Sequence, residues 1–127
     1  MGAFLSASAQ DINASKLLWS ASANINQADG KQTAYPCIFA TNGGQAITWS
    51  QQGGADITIY NVTSVEGSWP DVAKDGQYLF HVVSGSLAGT FSFSRASGNL
   101  QLHAQLNFNG KPNFDFVFLI DTVTPQP

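Results

Sequence analysis

Charge is what this chain has least of. Lys, Arg, Asp and Glu make up 10% of its 127 residues, against a usual share of about 25%. The surface must therefore be covered by Ser, Thr, Asn, Gln and Gly. Such a neutral polar skin suits hydrogen bonding to uncharged partners such as sugars, or close packing against copies of itself. The formal charge is −3, and the five cations, Lys16, Lys31, Lys74, Arg95 and Lys111, are scattered along the chain. They make no stripe that could follow a phosphate backbone, which counts against nucleic acid as a partner.

Cysteine is nearly absent too. Cys37 stands alone, so no internal disulfide can form, and its strand parity with Tyr35 and Phe39 reads as a buried, inert thiol. No apolar run reaches the length of a membrane-spanning helix. The opening "MGAFLSASAQ" lacks the charged and apolar regions of a Sec signal peptide. A cytoplasmic protein, or one exported by a non-Sec route, is expected.

Catalytic signatures are missing as well. There is no nucleophile elbow and no glycine-rich phosphate loop between a strand and a helix. His81 and His103 fall on separate strands without a third ligand at metal spacing. Neither an enzyme nor a bound metal or cofactor is expected.

What the sequence does have is alternation. From residue 17 onward apolar and polar residues trade places with a period of two, the mark of strands with one face buried. Leu17, Trp19, Ala21, Ala23 and Ile25 share one face of the first run, with Ser20, Ser22, Asn24 and Asn26 opposite. The clearest run is "LQLHAQLNF", residues 100–108, and the "NG" that follows it is a strong hairpin signal. Pro36 lacks an N–H for a ladder, which places its strand at an edge or at a bulge.

About eight strands result, with turns at the spacing of an all-β domain. A single antiparallel β-sandwich or jelly roll over 1–127 is expected, or a closed barrel, with at most one short helix near 68–75. Residues 1–15 read as an N-terminal arm or extra strand, and 124–127 as a frayed tail.

Two runs break the one-sided pattern. In the last strand Phe114, Phe116, Phe118 and Ile120 occupy one face while Val117 and Leu119 occupy the other. In "QYLFHVV" Tyr78, Phe80 and Val82 oppose Leu79 and Val83. Apolar residues on both faces call for cover on both, and a homo-oligomer is the reading preferred over membrane contact.

The stretch "EGSWPDVAKDG", residues 66–76, gathers three of the eight acidic residues around Trp69. A ring flanked by carboxylates and amides on a loop is suited to gripping a sugar. Trp69, Asp71 and Asp75 are the first candidates for a glycan site, with Asn42 and Asn109 from other turns. The competing reading has Trp69 plug one end of the fold while its neighbours shape a turn. Trp19 and Trp49, inside alternating runs, read as core. The functional expectation is a non-enzymatic, lectin-like carbohydrate-binding homo-oligomer. The alternatives are a structural or self-assembling β-protein, then a lipid-binding or membrane-damaging one.

Overall fold

The computed structural model describes residues 11–51 and 56–126. Eight strands follow one another: β1 (Lys16–Asn26), β2 (Gln32–Asn42), β3 (Ala46–Gln51), β4 (Asp56–Ser68), β5 (Gly76–Ser84), β6 (Leu87–Ala96), β7 (Asn99–Phe108) and β8 (Lys111–Pro125). Each pairs antiparallel with the next, and β8 returns to pair with β1, so the sheet closes into a barrel. Of the architectures open to such a pattern, the closed barrel is the one formed. Among the described residues it leaves no strand without a partner on each side. The segment between β4 and β5 is a series of turns and bends, and no helix forms among the described residues.

Alternation sorts the side chains into a lumen and an outer face. Trp19, Phe39, Phe80, Phe91, Phe93 and Phe118 fill the lumen and have no exposed surface. Their rings meet edge-on or tilted, as at Trp19–Phe93 (4.6 Å between centroids) and Phe39–Phe118 (5.0 Å), the arrangement that ring quadrupoles favour. The one polar group of Trp19 is satisfied in place, its indole N–H donating to Thr41 Oγ1 at 3.0 Å.

The period of two slips where β1 meets β8. Ser20 pairs with Thr122, Ala21 with Ile120 and Ala23 with Leu119, so Ser22 and Asp121 are each the extra residue of a bulge. Ser22 Oγ donates to Asp121 Oδ1 across the seam at 3.1 Å. On the β2 side the same slip falls at Tyr35 and Pro36, so Pro36 lies at a bulge in a sheet that has no edge. The sequence reading of β1 therefore needs one correction. Ala23 and Ile25 pair with the outward Leu119 and Val117, while Asn24 and Asn26 pair with the inward Phe118 and Phe116.

Connections alternate between two ends. The β2–β3, β4–β5 and β6–β7 turns share one end with the start of β1 and the close of β8. The β1–β2, β5–β6 and β7–β8 turns lie at the other, which we call the mouth. The β7–β8 turn has Asn109 at φ 52° and Gly110 at φ 80°, the left-handed pair a two-residue hairpin turn requires. Thr124 and Pro125, read from sequence as tail, are the last residues of β8. Gln126 then donates its backbone N–H to Lys16 O at 2.9 Å and its side-chain amide to Thr41 O at 3.1 Å. Residues 1–10 of the expected N-terminal arm lie outside the described residues.

Candidate functional site

The loop that drew attention in the sequence closes the end of the barrel opposite the mouth. Trp69 is 2% exposed. Its indole stands 5.8 Å from that of Trp19 and donates its N–H to Lys74 O at 2.8 Å. Val72 and Ile12 are buried beside it, and Ile12 N donates to Trp69 O. Asp71 Oδ1 accepts the N–H of Ala73 at 3.0 Å, an Asx-type turn, and Asp75 Oδ2 accepts the N–H of Ser97 at 3.1 Å. Arg95 Nε donates to Val72 O, tying the loop to β6. Asn42 ends β2 at this same end, where it pairs with Ala46. Asn109 sits at the far end of the barrel, in the β7–β8 turn. The five candidates are thus not brought together, and the two carboxylates nearest Trp69 are occupied in shaping turns.

The mouth is built differently. A cavity of about 660 Å³ opens there, lined from β1, β6, β7 and β8 by residues of both faces of the wall, Asn26, Leu106, Phe114 and Phe116 on the inner side and Gln105 and Asp115 on the outer. Phe114 and Phe116 are half-buried, their centroids 4.3 Å apart and their planes inclined at 33°. Phe114 rests edge-on against Trp49 at 5.7 Å, and Trp49 stacks on Phe39 at 5.3 Å, so the aromatic wall is anchored in the core. Gly89 keeps the wall thin, because a Cβ there would overlap the Gln105 carbonyl.

Across the lumen the register turns polar groups inward. Gln51 pairs with the buried Cys37 and with Asp56, and Thr58 pairs with Trp49, so Gln51, Asp56 and Thr58 face the interior. Tyr35 stands among them, its ring 6.4 Å from Trp49. Burial first, and then the nearby Cys37 and Asp56, hold the Tyr35 phenol above its ordinary range. Burial also pushes the Cys37 thiol up to about 11, only partly offset by the indole of Trp49, which leaves it protonated and a poor nucleophile near neutrality. The aromatic rings thus stand at the cavity on the β8 side, and the amide, carboxylate and hydroxyl groups of β2–β4 lie outside its lining. Rings of this kind can pack the C–H face of a ligand, and Asn107 and Asn113 of the lining carry amides that can hydrogen-bond its oxygens.

The outer face holds two histidine–carboxylate pairs. His103 Nε2 lies 2.6 Å from Asp115 Oδ1, and His81 pairs with Glu66. Among the described residues no three potential metal ligands cluster. Sequence reasoning passed over Phe114, Phe116 and Asn26 as a site. The phenylalanines were visible as an excess of apolar residues on one strand. The period of two places Asn26 on the outer face, because a bulge at Ser22 leaves no compositional mark except Pro36 on the neighbouring strand.

The chain matches no protein-family model, no curated protein and no solved structure in any of the three comparisons.

Proposed function

We propose that this barrel is a non-enzymatic carbohydrate-binding protein whose site is the mouth, acting as a homo-oligomer. The observation that carries the reading is the Phe114–Phe116 pair in a cavity of about 660 Å³. Mouths of β-barrels are common ligand sites, and a volume of this order suits a small ligand. A sugar presents an apolar C–H face to a ring and hydroxyls to amides, and both complements stand at this mouth. The reading moves the glycan site away from Trp69, Asp71, Asp75 and Asn42, whose side chains serve the opposite end.

Self-association is supported by a second surface. Ile38, Ile57 and Ile59 lie on the outer faces of β2 and β4 at 41%, 59% and 57% exposure, separated only by Ser50 and Thr48 of β3. An uncharged apolar patch of this kind suits contact with an equally uncharged one. The same patch is what would favour the runner-up reading, a structural self-assembling protein.

A glycan array, followed by calorimetry on whatever binds, tests the proposal. Phe116→Ala is expected to weaken binding at least tenfold, whereas Trp69→Phe leaves it within about twofold. Affinity that survives Phe116→Ala in a folded protein would remove the mouth as the site. Absence of binding to any glycan would overturn the carbohydrate reading itself.

A further inference from the structure

We infer that the cavity is an open-sided cleft that takes a chain of several sugars, with Asp115, positioned by His103, as the hydrogen-bonding subsite on the outer wall. This rests on the carbohydrate reading of the same site. The inference starts from unequal strand lengths at the mouth. β8 pairs with β7 from Lys111 onward, whereas its pairing with β1 begins only at Phe116, opposite Asn26. One further bond, from the Gln27 N–H to Asp115 O at 2.9 Å, ends the seam. The barrel is closed along its length, but β8 outreaches β1 at the mouth, and the wall has a notch there.

The cavity occupies this notch. Pro112, Asn113 and Phe114 of β8 line one side of it, and Asn26 and Ala28, from β1 and the turn after it, line the other. Asn26 shapes that side, since its Oδ1 accepts the N–H of Ala28 at 2.9 Å. Two features of β8 suit an open side. Pro112 has no N–H with which to recruit another strand. Asn113 is the extra residue of a bulge opposite Leu106 and Asn107, and bulges are common at barrel rims beside binding sites.

Through the notch the lining runs from the inner side of the wall to the outer. Phe114 and Phe116 stand inside, and Asp115, between them in the chain, stands outside in one row with Gln105 and Thr90. One sugar ring cannot lie on both sides of a sheet, but a chain passing the notch can. On the outside Asp115 is anchored through one oxygen. His103 Nε2 lies 2.6 Å from Oδ1, while Oδ2 has a long contact of 3.5 Å with Gln105 Nε2. The side chain is 46% exposed, and an ionised carboxylate accepts about four hydrogen bonds. Oδ2 is therefore held in place with capacity to accept a sugar hydroxyl, in a bond stronger than one between neutral groups.

The test is a glycan array graded by chain length, with calorimetry on the mono- to tetrasaccharides of glucose, mannose and galactose. It compares wild type with Asp115→Asn, His103→Gln and His103→Ala, and each protein's thermal midpoint is checked. Wild-type affinity is expected to rise at least tenfold from the single sugar to the longest chain. Asp115→Asn should lose most of that gain, because it keeps the shape and loses the carboxylate. His103→Gln, which retains an N–H donor, should keep more of the gain than His103→Ala; equal losses would remove the positioning role. A single sugar bound as tightly as its longer chains, or a gain that persists in Asp115→Asn, would overturn this inference. With binding still lost in Phe116→Ala, either result would leave the carbohydrate reading standing. Absence of binding to any glycan, short or long, would overturn both.

Discussion

Gly76 lies directly beneath the indole of Trp69, so close that a Cβ added to it would overlap the ring. The first residue of β5 is therefore a glycine for the sake of a side chain seven positions earlier. Gly76→Ala is expected to destabilise the barrel by about 1–3 kcal/mol through overpacking. Trp69→Ala, which empties the same space, should cost about 3–5 kcal/mol. Urea unfolding of the two single variants and the double variant checks this. Because they compete for one volume, the double variant should cost clearly less than the two losses added together.

Asp75 anchors the turn of a neighbouring hairpin through the N–H of Ser97, and this sets a second expectation. Asp75→Asn should lower stability by about 1 kcal/mol, the scale of one hydrogen bond. It should leave glycan affinity unchanged, because the residue lies at the end away from the mouth. A large loss of binding in that variant, with the fold intact, would return the site to the Trp69 loop.

Alkaline pH acts on the core. The Cys37 thiol is pushed up to about 11 from an ordinary value of 9.0, and Tyr35, Tyr60 and Tyr78 are raised by burial as well. In each case the folded chain keeps a proton that the unfolded chain releases. Stability from these groups is thus fully present below pH 9 and declines as pH rises toward 11. Urea midpoints should fall between about pH 8.5 and about pH 10.5. In the same samples a thiol reagent should label Cys37 slowly in the native protein and rapidly after unfolding. Prompt labelling of native protein at neutral pH would contradict the burial described here.

The exposed isoleucines give a prediction for the assembled state. Ile57→Lys with Ile59→Lys should convert an oligomer to monomers in light scattering, with little effect on the fold, since neither side chain enters the lumen. A wild-type protein that is monomeric at high concentration would remove the oligomeric part of the proposal.

Much of this was legible in the sequence, and the boundary is instructive. Alternation identified the strands, and Asn109–Gly110 identified a turn, because both depend on neighbours in the chain. Whether the sheet folds on itself or closes was not legible, since Phe39 and Phe118 alternate identically in a sandwich and a barrel. The burial of Trp69 hinges on Gly76 and on Ile12 arriving from elsewhere. The inward turn of Asn24 and Asn26 hinges on a slip of one residue against β8, which composition does not record.

That slip lies on the closing seam of the barrel. Ser22 and Asp121, the two bulge residues, are 99 positions apart in the chain, and every contact across the seam carries a comparable separation. Pairings between such distant segments are entropically the most expensive to make and are expected late in folding. Since Asn26 meets Phe116 only across this seam, the mouth takes its shape with the final zipping of the cylinder. A bound ligand would then act as a clasp, slowing the first step of unravelling, and its grip would report whether the molecule is shut.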